Sequence, residues 1–179
     1  MNLIKLDLIH QNQLLELEEK MYWYSGRWKE LWEKKAKNKF NDLIADYLQN
    51  FSQGCFGLTE KENLIGAMFL LKVSKLVPIP YVNKVSDYLD KDGNIAYVSF
   101  FVVKKGGQEK EIAQNLYEHA KEVTLFIGCK KIAVTINVSP LEEEILKENN
   151  YKKLNRQFQW EIYPGIIVPS HIYHCSLLI

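Results

Sequence analysis

The sequence predicts an α/β protein built on a twisted mixed sheet of about six to seven strands flanked by helices. Three observations carry that reading. Strand-like and helix-like segments alternate along the chain instead of segregating. Between Tyr97 and Val138 a β-rich apolar run, a polar turn, an amphipathic helix and a second apolar run follow in close order, the pattern of a crossover joining parallel strands. A length of 179 residues, with 47% hydrophobic and 25% charged side chains, suits a single domain spanning 1–179 with a proper core.

Leu3, Ile4, Leu6, Leu8 and Ile9 make a short opening strand. From Gln11 the period changes: Leu14, Leu17 and Met21 recur at helical spacing, Leu15 widens the stripe, and Ser25-Gly26 breaks it. Trp28, Leu31 and Trp32 mark a second helical piece, followed by the charged run from Glu33 to Lys39. Phe40, Leu43, Ile44, Tyr47, Leu48 and Phe51 trace a third amphipathic helix, which Ser52-Gln53-Gly54 ends. Cys55 to Thr59 and Leu64 to Leu71 then form a hairpin across the polar turn Glu60 to Asn63.

The stretch from Val73 to Ala96 is irregular, with Pro78 and Pro80 excluding a central strand or helix interior and Asp92-Gly93 marking a turn. Long loops of this kind often serve a binding site. Tyr97 to Val103 is the next strand. It stops at Lys104-Lys105-Gly106-Gly107, and Gln108 opens a helix with Ile112, Leu116, Ala120 and Val123 on one face. Gly128 suits the residue after that helix because glycine tolerates positive φ. Lys131 to Val138 reads as a buried strand, and Pro140 as the first position of a helix through Leu141, Ile145 and Leu146. Two last strands are expected in Tyr151–Ile162 and His171–Ile179, with Pro164-Gly165 and Pro169 between them.

Composition excludes several classes. A formal charge of +1 gives no footprint for nucleic acid or an anionic membrane. No apolar segment approaches the length of a membrane span, and Met1 to Leu8 lacks the marks of a signal peptide, so a cytoplasmic protein is expected. Cys55, Cys129 and Cys175 show neither zinc spacing nor a disulfide framework and read as small buried hydrophobes. His10, His119, His171 and His174 share no metal-ligand spacing with a cysteine or carboxylate cluster, so no metal is expected. There is no Gly-x-Ser-x-Gly elbow and no phosphate-loop lysine.

The junction after Val103 places a helix N-terminus, with its open backbone N–H groups, just past a strand end, which suits an anion such as a pyrophosphate. Gln108-Glu109-Lys110-Glu111-Ile112-Ala113 begins five residues after Val103. It resembles the Gln/Arg-x-x-Gly-x-Gly/Ala signature of the GNAT family of acetyl-CoA-dependent N-acetyltransferases. Gly128 before Cys129 to Ile132, Asn150-Tyr151 at the family's usual Gly-Phe, and the order of the earlier elements extend the resemblance over nearly all of the chain.

The resemblance implies the acyl-CoA N-acyltransferase fold and acetyl transfer from acetyl-CoA to a primary amine of a small molecule or protein. By position, the Phe101 N–H would hold the thioester carbonyl. Val102 and Val103 would line the pantetheine arm, with Val103 pairing to it like a neighbouring strand. Backbone N–H groups of Glu109, Lys110, Glu111, Ile112, Ala113 and Gln114, behind Gln108, would receive the pyrophosphate. Polarising the thioester carbonyl with a fixed donor is oxyanion-type stabilisation.

Tyr97 falls where some family members place a general base. An unperturbed phenol has too high a pKa for that work, so Tyr97 is either a packed strand aromatic or a hydroxyl that orients substrate or relays a proton. Ser139 falls at the family's usual asparagine and reads equally as an N-cap before Pro140. Tyr22, Trp23 and Tyr24 lie in the segment bordering the family's acceptor groove, where aromatics bind an amine cation or simply join the core.

Three departures stand against the family pattern. Glu111 replaces the first signature glycine and, with Glu109, brings negative charge to an anion site, offset in part by Lys104, Lys105 and Lys110. Glu142 stands at a usual alanine. Leu146 stands where many members keep a tyrosine that protonates the departing thiolate. Glu111 and Leu146 support the alternative of a catalytically impaired member acting as a CoA-binding or protein-interaction module; a third reading is a non-catalytic subunit or homodimer whose aromatic segment or last strand forms an interface.

Overall fold

In the computed structural model, residues 1–20, 29–30, 32–73, 94–137, 140–163 and 166–177 are described. Seven strands form one mixed sheet: β1 (Asn2–Lys5), β2 (Cys55–Glu60), β3 (Asn63–Val73), β4 (Ile95–Val103), β5 (Lys131–Asn137), β6 (Lys152–Tyr163) and β7 (Ile166–Ser176). Their order is β1-β2-β3-β4-β5-β7-β6. The helices are α1 (Gln11–Glu19), α2 (Lys37–Asn50), α3 (Glu109–Phe126) and α4 (Pro140–Glu148). The chain groups into two compact units, 1–69 with 100–116 and 70–99 with 117–179.

In the first unit, β1, β2 and β3 pair antiparallel. The β2–β3 turn has two residues, Lys61 at φ +47° and Glu62 at φ +68°, the left-handed pair that matches the twist of a tight hairpin. Two lengths differ from the sequence reading. The opening strand ends at Lys5, and Leu8–His10 instead forms a 3-10 turn capped by Asp7, whose carboxylate accepts from the Ile9 N–H. The helical piece at Trp32 is a π-helical segment, Trp32–Ala36, that runs into α2.

α2 buries Phe40, Ile44, Tyr47 and Leu48, the stripe expected from spacing. Its aromatics reach the sheet: Phe40 lies 5.5 Å from Phe100 of β4, and Tyr47 lies 6.0 Å from Phe69 of β3. Phe69 and Phe100 sit 5.0 Å apart, centring this unit's core on one sheet face. Gly66 has the opposite parity to Phe69 on β3 and meets the first turns of α3. A Cβ there would stand 2.5 Å from Ile112 Cγ2 and 3.1 Å from Leu116 Cδ1. Glycine is needed at this position so that α3 can approach the strand closely.

In the second unit, β4 and β5 pair in parallel over Ile95–Val98 and Lys131–Val134. The second half of α3 belongs to the crossover between them. It ends as the sequence predicts: Gly128 takes φ +77°, its N–H donates to Leu125 C=O, and the Cys129 N–H donates to Thr124 C=O. α4 starts at Pro140 and closes the same way through Asn150, at φ +63°, with the Tyr151 N–H donating to Leu146 C=O. Ile132, Ala133, Val134 and Ile136 of β5 are all buried, as befits a strand covered on both faces.

β7 inserts antiparallel between β5 and β6. It begins at Ile166, so Pro169 lies inside this strand and not in the connection before it. Pro169 pairs with Gln159 of β6, and the last β5 pair among the described residues is Asn137 with Ser170, so no described β5 residue stands opposite the proline.

Candidate functional site

The site residues expected along β4 and at the start of α3 come together in the first unit. Strand alternation settles which backbone edge each presents. The Lys104 N–H donates to Ile65 C=O on β3 at 2.7 Å, and a Cβ on Gly66 would sit 3.4 Å from Val102 O. Residues 100, 102 and 104 therefore turn their backbone groups toward β3, and Phe101 and Val103 turn theirs toward the opposite edge. The β5 ladder covers Ile95–Val98, whereas β4 runs on to Val103.

Past Val103 the chain makes a small concave turn. Gly106 and Gly107 take φ +150° and +94°, and no atom lies within 4 Å of a Cβ built on either. Their amides converge on one carboxylate: the Gly106 N–H donates to Glu109 Oε1 at 3.0 Å and the Gly107 N–H donates to Oε2 at 2.8 Å. The carboxylate shows that these amides cradle an oxyanion, the property that a phosphate needs. The Gly106 bond, then Glu109's own amide, then the Gly107 bond and nearby Lys105 hold the Glu109 carboxyl below the usual glutamate range.

Helical bonding begins at the Ile112 N–H, which donates to Gln108 C=O at 3.0 Å. The amides of Glu109, Lys110 and Glu111 precede that first rung, whereas those of Ile112, Ala113 and Gln114 belong to the helix ladder. The amides seen on a carboxylate are those of Gly106, Gly107 and Glu109, just before that first rung. Glu111 is exposed, and its carbonyl accepts from Asn115 Nδ2. Ile112 and Ala113 are buried.

The other expected site residues are distributed differently. Tyr97 lies in the second unit, 1% exposed and paired with Ala133 of β5. Burial raises the Tyr117 phenol well above its ordinary value, and Glu142, Tyr151 and Tyr97 add to the effect. Tyr117 and Tyr151 meet edge-on at 5.8 Å. Leu146, which the resemblance sets against the family's tyrosine, is fully buried. Tyr22, Trp23, Tyr24 and Ser139 lie outside the described residues.

Sequence reasoning missed Gly106, Gly107 and the role of the Glu109 side chain. The available signal was a glutamate in the first helical turn three residues after a glycine, the acidic half of a capping pattern. Among the described residues no group of three or more His, Cys, Asp or Glu could hold a metal ion. No described helix is long and apolar enough to cross a membrane.

No known protein-family profile matches the sequence, and no curated protein matches it. Solved structures do. A probable acetyltransferase from Staphylococcus epidermidis has a TM-score of 0.71 at 14% identity, covering 99% of each chain. The PaiA N-acetyltransferase from Thermoplasma acidophilum, solved with coenzyme A, has a TM-score of 0.66 at 16% identity, covering 98% of each chain. A polyamine N-acetyltransferase from Drosophila melanogaster, which forms N-acetylagmatine, has a TM-score of 0.67 at 10% identity, covering 98% of this chain and 99% of that one. These likenesses establish the fold: the chain has the mixed α/β architecture of the GNAT acetyltransferases.

Proposed function

We propose that the protein is a single-domain cytoplasmic N-acetyltransferase of the GNAT family that moves an acetyl group from acetyl-CoA to a primary amine. The observation that carries this reading is the β4–α3 junction. A strand end presents Phe101 and Val103 on the edge away from β3 and is followed at once by an amide cradle for an anion. Those are the two features that a pantetheine thioester with a pyrophosphate tail requires, and they occur in a fold shared with acetyltransferases over the full chain.

In this reading Val103 pairs with the pantetheine amides as a neighbouring strand does, and the Phe101 N–H donates to the thioester carbonyl oxygen. That bond strengthens as the oxygen gains charge during attack. The neutral amine nitrogen attacks the carbonyl carbon, the new C–N bond forms and the C–S bond breaks. The electron pair leaves on sulfur, and the amine's surplus proton passes to the thiolate or to water. Leu146 offers sulfur no proton, so the departing thiolate relies on its own low basicity and on water. Tyr97 and Ser139 are the polar candidates for relaying the amine proton, and Tyr22, Trp23 and Tyr24 for facing the acceptor.

A second reading keeps the fold without transfer, as a CoA-binding or protein-interaction module. It is favoured by the apolar Leu146 and by the Glu109 carboxylate in the cradle. The two readings separate in one assay: acetyl-CoA with a panel of polyamines, amino sugars and peptides, following release of the CoA thiol with a chromogenic reagent. The protein's own thiols interfere little, since all three cysteines are buried and burial pushes Cys55 up to about 12. Amine-dependent release supports the transferase. Saturable acetyl-CoA binding without release for any amine supports the module.

A further inference from the structure

We propose that Glu109 is a built-in competitor of the donor site: its carboxylate occupies the amide cradle that a CoA phosphate would use, so it weakens phosphate-bearing donors and leaves the thioester arm untouched. The inference rests on reading the β4–α3 junction as the donor site.

The geometry makes the competition direct. Gly106 and Gly107 each have one N–H, and both are aimed at Glu109 oxygens at 3.0 and 2.8 Å. A phosphate oxygen needs the same donors from the same side, and one N–H cannot serve two acceptors at full strength. Neither glycine is packed against: beyond its chain neighbours, nothing stands within 4 Å of a Cβ built on either. The side chain can also leave. Its connection to the helix is a flexible chain near the surface, and no buried partner holds it.

If the carboxylate stays, its charge faces the phosphate at short range. If it swings out, the two amide bonds are surrendered. Either route lowers CoA affinity below what the same site would have without the carboxylate, a cost that a ligand carrying only the reactive arm does not meet. A glutamate is ionised at neutral pH, and the bonds that hold Glu109 extend the charged form further into acid.

Calorimetry with CoA and with acetyl-pantetheine, which has the arm but no pyrophosphate, tests the proposal on the wild type, Glu109→Ala and Glu109→Gln. Glu109→Ala is expected to bind CoA about tenfold more tightly than the wild type, with Glu109→Gln between them. Acetyl-pantetheine should bind all three within about twofold. Unchanged or weaker CoA binding by Glu109→Ala, with the wild type binding CoA, overturns the proposal: Glu109 would then be a brace that holds the loop ready. An equal gain for acetyl-pantetheine overturns it too, because the effect would not be at the phosphate. Failure of all three proteins to bind CoA removes the donor-site reading itself, a different result from either. Circular dichroism on each variant confirms that the comparison is between folded proteins.

Discussion

The two ends of α3 are built from the same residue type to opposite purpose. At its C-terminal end Gly128 adopts φ +77°, and both capping bonds, to Leu125 and Thr124 carbonyls, come from backbone. The next residue, Cys129, is buried. At its N-terminal end Gly106 and Gly107 are exposed, nothing packs where a side chain would be, and the cap is a glutamate. A backbone cap cannot leave without unwinding the helix, whereas a carboxylate can leave by rotating bonds. One end is therefore a structural stop and the other an exchangeable anion position.

The largest test of that contrast is Gly66→Val, because α3's first turns depend on close approach to β3. The new side chain collides with Ile112, which is 2% exposed and stiff at χ1, so a loss of about 3 kcal/mol is expected in denaturant unfolding. A loss below about 1 kcal/mol would mean that the start of α3 is loosely held and the contrast is overstated. Next in size is Gly128→Ala, which forces a left-handed conformation on an exposed residue held at φ +77° between backbone capping bonds and should cost about 1–2 kcal/mol. Gly107→Ala meets the same kind of backbone strain at φ +94°, whatever the open space around it, and should cost a similar amount, about 1–2 kcal/mol. The distinction lies in binding: Gly107→Ala should weaken acetyl-CoA binding and Gly128→Ala should not, and equal acetyl-CoA affinity in the two variants would remove it.

A third left-handed site calibrates these values. Lys61 and Glu62 hold the hairpin turn at φ +47° and +68° without glycine or asparagine. Replacing them together, Lys61→Asn with Glu62→Gly, should stabilise the protein by about 1 kcal/mol, read as a higher unfolding midpoint.

The smallest effect is at Glu109. The folded state lowers its carboxyl pKa, so its contribution is complete above the ordinary glutamate range and is lost as pH falls through the lowered folded value. Glu109→Gln should be less stable than the wild type by about 0.5 kcal/mol at neutral pH, low in the range for caps because the site is exposed. The difference should vanish in acid. A gap that widens in acid would contradict the bonding described.

Much of this architecture was legible in the chain, for identifiable reasons. The stripe from Phe40 to Leu48 repeats with the helical period, so its buried face follows from spacing alone. Gly128 and Pro140 are local signals whose meaning does not depend on distant contacts. Pro169 misled, because its place inside β7 is set by the strands on either side, Gln159 of β6 opposite it and a β5 ladder that reaches Ser170, and the β5 part lies more than thirty residues away in the chain. The candidate site was legible as a place but not as an arrangement. Spacing located the β4–α3 junction, and Glu109 was weighed there as an unfavourable charge. Its turn back onto two glycine amides depends on loop dihedrals of +150° and +94°, which only the folded backbone supplies.

The central claim is that Phe101 to Glu111 forms the acyl-donor site, and it is met most directly by titrating acetyl-CoA into isotope-labelled protein and following backbone amide resonances. The account predicts saturable shifts concentrated at Phe101, Val103, Gly106, Gly107 and the first turn of α3. Saturable shifts centred elsewhere, or none at millimolar ligand, would contradict it.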